Sequence, residues 1–305
     1  MVKSKIIKRS VIAIGNFDGI HKGHQKIFTL GKNLAKKNNT KFGVVTFSPL
    51  PSEFFRRQKV STRLTRDDIK INLLKQYKID FFLICKFNKT FSLTSADNFI
   101  KNIIVKKIQA KFVLVGKNFK FGHQRKGNIS LLKKYGKLFN FKTIDLQLIK
   151  EKNTKISSTR IRLAIQKGNM ELASRLLGRH WSVKEKVIPG RKIGRKLGFR
   201  TANIEIKNNI NPKTGVYVVR VKIGNKAFDG VANFGFAPTF LRKKLVLEIN
   251  LFKKIAPFYG KIVEVIFIKR LRDEKKFKNR NLLITQIKKD ITKAKLILQN
   301  ERHKS

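Results

Sequence analysis

Val11-Ile12-Ala13-Ile14-Gly15-Asn16-Phe17-Asp18-Gly19-Ile20-His21-Lys22-Gly23-His24 is the stretch on which the reading of this chain turns. A short apolar run, then a glycine-rich turn, then a helix-compatible stretch over 25–37 is the pattern by which a parallel sheet offers a phosphate site. The candidate ligand groups are His21 and His24 at the helix start, with Gly23 letting the backbone come close to a ligand. Three residues apart, the two histidines share a helical face. Free backbone N–H groups and the positive end of the helix dipole favour an anion there. Two ordinary surface histidines at a helix start would be spelled the same way, so later motifs have to decide.

Working outward, 305 residues exceed the usual size of one domain, and two are expected. Hydrophobic residues make up 41% and charged residues 29%, a globular balance. No apolar run approaches the length of a membrane span. The basic first ten residues lead into an apolar stretch that stops at Gly15, too short for a signal peptide. One cysteine, Cys85, excludes a disulfide framework and a cysteine zinc cluster. These features point to a cytoplasmic chain with no membrane partner. The 71 Lys and Arg against 18 Asp and Glu give a net charge of +53. The lysines are scattered over helices and loops, together with abundant Asn, Ile and Phe, which reads as base composition acting on solvated faces. No specific nucleic-acid partner is expected, only salt-sensitive sticking to RNA and attraction of small anions.

Strands over 41–47, 81–87 and 111–115 alternate with amphipathic helices over 67–77 and 94–104, the pattern of a doubly wound parallel α/β sheet. Asn118 stands just beyond the last of these strands, between Gly116 and Gly122, where open α/β sheets hold ligands. Further on, Ile156-Ser157-Ser158-Thr159-Arg160-Ile161-Arg162 heads another helix. Capping alone explains the hydroxyls; an anion site formed by Ser158, Thr159 and Arg162 explains them equally well.

From about residue 181 the texture changes to short β runs separated by glycines, the sign of a small antiparallel barrel, and residues 281–298 close the chain as a helix. The expected domains are therefore 1–180 and 181–305. Gly190, Gly194 and Gly198 punctuate a basic loop that runs into Thr201-Ala202-Asn203. Glu248 stands in Leu247-Glu248-Ile249, either buried for a purpose or turned to solvent by strand alternation. Both readings stand.

Four motifs in order carry a resemblance. Gly-Asn-Phe-Asp-Gly-Ile-His-Lys-Gly-His, Ser-Ser-Thr-Arg-Ile-Arg, Gly-Phe-Arg-Thr-Ala-Asn and Gly230-Val-Ala-Asn-Phe-Gly-Phe-Ala-Pro-Thr resemble the bacterial bifunctional riboflavin kinase and FAD synthetase family. The resemblance implies phosphorylation of riboflavin to FMN by ATP, then joining of FMN to AMP with release of pyrophosphate. It implies ATP contacts by Gly15, Asn16, Phe17, His21, His24, Asn118, Ser158, Thr159 and Arg162 in the first domain. In the second it implies ATP contacts by Gly190, Gly194, Gly198, Thr201 and Asn203, with Mg2+ on Thr201 and Asn203, oxygen donors of the kind this ion takes. Glu248 would be the base that deprotonates the ribityl hydroxyl. Phe54 and Phe55 would face a flavin ring, a role that core packing rivals, and Arg272 would touch flavin. Arg200 replaces the family proline before Thr201, a change in backbone preorganisation that leaves the chemical groups in place.

Overall fold

The computed structural model describes residues 8–56, 62–147, 150–151, 153–189, 199, 201–207, 209–237 and 244–302. Contacts divide the chain into two compact units, residues 1–59 with 67–158, and residues 60–66 with 159–305.

The first unit is built on a five-stranded sheet in the order β3-β2-β1-β4-β5. Its strands are β1 (Val11–Ile14), β2 (Phe42–Ser48), β3 (Phe81–Lys86), β4 (Phe112–Gly116) and β5 (Lys142–Leu146), and every pairing is parallel. Its helices are α1 (Lys22–Lys37), α2 (Pro51–Phe54), α3 (Asp67–Gln76), α4 (Lys89–Ser92), α5 (Ala96–Phe99) and α6 (Ile129–Leu138). Alternation along β1 shows why this sheet is buried on both faces. Val11 and Ala13 join Phe28, Phe42, Leu74 and Leu114 in one core. Ile12 and Ile14 join Phe99, Ile104, Val113 and Val115 in the other. A strand covered on both sides can be apolar at every position, which is how Val11–Ile14 reads.

The helix expected over 94–104 is shorter and then wider than an α-helix. Ser95 caps α5 by accepting from the Asn98 N–H at 3.1 Å, and the chain continues as a π-helix over Ile100–Ile108. Gln109, at φ 51, ends it in the left-handed region. A hairpin of β6 (Lys150–Glu151) and β7 (Thr154–Lys155) precedes α7 (Ser158–Gln166).

The second unit is a closed barrel in the order β10-β11-β12-β9-β8-β13, antiparallel throughout. Its strands are β8 (Trp181–Ile188), β9 (Thr201–Ile204), β10 (Gly215–Ile223), β11 (Lys226–Ala237), β12 (Lys244–Leu251) and β13 (Ile262–Arg272). The closing helix α9 (Arg280–Arg302) packs Ala294 and Leu298 against Val218, Val231 and Ile268 on the barrel exterior. Helix α8 (Met170–Leu177) also belongs to this unit. Its Glu171 pairs with Lys269 of β13 at 3.0 Å. The texture change at residue 181 marks where the strands start, while the packing division falls at 158/159.

A short segment from the first half of the chain also belongs to the barrel unit. Leu64 is fully buried, and its carbonyl accepts from Trp181 Nε1 and Asn209 Nδ2, each at 3.0 Å. The Ile210 N–H donates to Arg63 O at 2.9 Å. Arg66 Nη1 donates to Lys184 O at 2.6 Å and lies 3.7 Å from the buried carboxylate of Glu185. Nothing in the spelling of residues 60–66 announces this strap. Leu64→Ala is expected to destabilise the barrel unit by about 2–5 kcal/mol through a buried cavity. Trp181 is the single tryptophan, so the denaturant midpoint of its fluorescence measures that loss.

Candidate active sites

In the first unit the strand order runs outward from β1 through β2 to β3, then restarts on the other side of β1 with β4 and β5. The reversal lies between β1 and β4, which pair through Val11↔Phe112 and Ala13↔Leu114. Loops leaving the carboxyl ends of two such strands diverge and open a crevice. The turn Gly15–Ile20 leaves β1 there, and exposed Asn118 stands just past β4.

His21 is the N-cap of α1. Its Nδ1 accepts from the His24 N–H at 3.3 Å, which makes Nε2 the ring nitrogen that carries the proton. The two imidazoles stack 3.6 Å apart at 15°. A Cβ on Gly23 would stand 3.0 Å from ring atoms of His21, so glycine is what lets the helix backbone pass beneath that imidazole. The first turn of α1 carries no acidic residue, and the positive end of its dipole is not offset from within the helix. Ser158 Oγ donates to Asp18 O at 2.9 Å, fastening the start of α7 to the same turn. Asn16 is exposed, while the Phe17 ring is buried against His24 at 5.1 Å and Phe28 at 5.3 Å. What Phe17 offers a ligand is therefore backbone. Thr159 and Arg162 fall in the second unit, where Arg162 Nε donates to Thr62 O at 2.7 Å.

Phe54 and Phe55 are surface residues, with Phe55 66% exposed. Both stand edge-on to Phe87, at 5.4 Å and 5.8 Å. Of the two sequence readings, core packing does not describe Phe55. Phe87, just past β3, completes this aromatic face and was not singled out from sequence.

In the barrel, β9, β12 and β11 are neighbours, and the register sets Asn203 opposite Glu248 and Glu248 opposite Asn233. Ala202, Ile204, Leu247, Ile249, Ala232 and Phe234 alternate with them and fill the interior. The polar row therefore lies on the outer face, with Thr201 and Asn250 as the next cross-strand pair along it. Glu248 is open to solvent on one side, yet crowding by protein raises its carboxyl above the usual glutamate value, first through desolvation and second through the negative charge of Glu274. Glu274 lies over β11, accepting from Asn233 Nδ2 at 3.1 Å. A Cβ on Gly235 would collide with its carboxylate at 1.8 Å. Neither Asn233 nor Glu274 was singled out from sequence; cross-strand register, which sequence does not display, sets Asn233 opposite Glu248, and Glu274 reaches over from beyond β13.

Asn203 Oδ1 is buried with no hydrogen-bond partner among the described residues, an acceptor placed to meet a cation. Among those residues no cluster of three or more His, Cys, Asp or Glu side chains is arranged for a metal. A divalent ion would thus take few protein oxygens, as magnesium does when nucleotide phosphates supply others, and Thr201 with Asn203 fits that pattern. Gly190, Gly194, Gly198 and Arg200 lie outside the described residues. The guanidinium of Arg272, expected to touch flavin, is engaged with Asp290 of α9 through Nε at 3.0 Å and Nη2 at 2.8 Å.

Comparison with known proteins covers both units. A family model described as FAD synthetase matches residues 3–160, and one described as riboflavin kinase matches residues 177–298. The bifunctional riboflavin kinase/FMN adenylyltransferase of Buchnera aphidicola subsp. Schizaphis graminum is 44% identical, over 94% of this chain and 93% of its own. The Escherichia coli K12 protein of the same name is 36% identical, over 92% and 90%. A crystal structure of a Streptococcus pneumoniae protein called a macrolide-efflux protein superposes with a TM-score of 0.86 at 30% identity, covering 97% of both chains. With both family models matched in order and this identity along nearly the whole length, the chain belongs to the bifunctional riboflavin kinase/FMN adenylyltransferase family.

Proposed function

We propose that the two reactions are divided between the units, with FMN adenylylation on the parallel sheet and riboflavin phosphorylation on the outer face of the barrel. The observation that carries the second assignment is the row Asn203–Glu248–Asn233 across three strands. In the kinase step Glu248 takes the proton of the ribityl hydroxyl as that oxygen bonds to the γ-phosphorus of ATP; the bond from phosphorus to the bridging oxygen breaks and ADP leaves. Thr201 and Asn203 would hold Mg2+, which when bound neutralises charge on the phosphates.

The adenylyl step asks less of acid or base. A phosphate oxygen of FMN is already a nucleophile; it bonds to the α-phosphorus of ATP, and pyrophosphate leaves. The α1 dipole, the His21 and His24 rings and Ser158 orient and neutralise that leaving group. Asn118 meets the nucleotide across the crevice, and Phe54 and Phe55 face the flavin. The substrates are small molecules. A reducing cytoplasm suits Cys85, whose thiol is pushed up to about 11 by burial and stays unreactive.

Three outcomes test this division. His24→Ala is expected to abolish FAD formation from FMN while riboflavin phosphorylation persists, read by flavin chromatography. Glu248→Gln keeps the shape and removes the base, so FMN formation should fall by about 10²–10⁴-fold with FAD formation from supplied FMN unchanged. The base works only when ionised, so the kinase loses kcat/KM as pH falls through a Glu248 pKa held above the ordinary 4.5. Glu274→Gln removes the second cause of that elevation and should move the acid limb of the pH profile to lower pH.

A further inference from the structure

Lys70 of α3 has no part in the chemistry above, yet its side chain is 1% exposed. Burying an ammonium is unfavourable unless it is paired and hydrogen-bonded, and the identity of its partners is informative. Lys70 Nζ lies 3.6 Å from Asp67 Oδ1 and 3.4 Å from the carbonyl oxygen of Asn16, to which it donates. That carbonyl also accepts from Thr46 Oγ1 at 3.0 Å. The other carboxylate oxygen of Asp67, Oδ2, accepts a hydrogen bond from Ser48 Oγ.

Two loops at the carboxyl edge of the sheet therefore meet at one pair, a buried lysine and a half-buried aspartate. The first is the turn after β1 that leads to His21 and His24. It contains Phe17 at φ 45 and Ile20 at φ 40, left-handed conformations that bulky and β-branched residues do not hold without support. The second begins at Ser48-Pro49 and leads to Phe54 and Phe55. From this arrangement we infer that the Asp67–Lys70 pair is a positioning joint of the adenylyltransferase, fixing the nucleotide turn through Asn16 and the flavin loop through Ser48. The inference rests on assigning adenylylation to this unit. Lys70 touches backbone, not substrate, and acts through the geometry it imposes.

Lys70→Met keeps length and apolar stem while removing donor and charge. FAD formation from supplied FMN is expected to lose at least tenfold in kcat/KM, with the KM for ATP raised, while riboflavin phosphorylation in the same preparation stays at the wild-type rate. Thr46→Val removes the other donor to the same carbonyl and should produce a smaller rise in the KM for ATP. Ser48→Ala touches only the Asp67 arm and should raise the KM for FMN while leaving that for ATP unchanged. A purely structural role would lower the amount of active adenylyltransferase, a loss in kcat with both KM values unmoved, and that result overturns the inference. So does a Ser48→Ala enzyme with wild-type KM for FMN, which keeps the test decisive even where Lys70→Met does not fold. FAD formation that survives His24→Ala would instead overturn the assignment of this unit.

Discussion

A parallel strand hands its chain to a crossing helix at its carboxyl end, and where successive crossings run in opposite directions the departing loops part and leave a crevice. Between β1 and β4 this geometry sets most of what the first unit can do. It brings the turn after β1 and the residues after β4, Asn118 among them, to neighbouring strand ends. The apolar spelling of β1 is the other side of the same constraint, because a strand at the centre of a doubly covered sheet has no solvated face on which to carry a functional group. Function is displaced to the loops, whose conformation then has to be imposed from beneath. Thr46 and Lys70 do so by converging on a single carbonyl of Asn16.

The barrel solves the opposite problem. Closure removes the free edges and commits one side of every strand to the interior, so polar groups are gathered on the outside by a period of two and by register between strands. Asn203, Glu248 and Asn233 come from three strands and form a line because the pairings put them opposite one another. Glu248 thus keeps an aqueous side and a crowded side, the crowding raising its carboxyl above the usual glutamate value. The helix α9 is held to this unit by its packing against the barrel and by the bidentate pair of Arg272 with Asp290.

How much of this was legible in the sequence follows from the range of each signal. Local patterns were readable: the β1 run with its glycine turn, and the closing helix, expected over 281–298 and formed by Arg280–Arg302. The four motifs spelled out the family. For Glu248 the sequence left burial and solvation both open; strand alternation puts it on the outer face, exposed yet crowded on one side by protein. Apart from the π-helix over Ile100–Ile108, the unread parts are non-local. Glu274 reaches Asn233 from 41 residues away, Lys70 reaches Asn16 from 54 away, and a buried lysine among 71 basic residues has no spelling of its own.

The strap around Leu64 bears on how the chain is made. Trp181 Nε1 donates to Leu64 O across 117 residues, so the barrel unit begins with a segment that leaves the ribosome long before any of its strands. At roughly 5–20 residues per second, Leu64 waits about 6–23 s for Trp181 to emerge, while the parallel sheet on either side of it in sequence is being completed. During that interval a leucine destined for full burial is exposed within a half-made protein. At this position the interval is set by translation speed, and a slowing of synthesis between residues 66 and 181 would lengthen it.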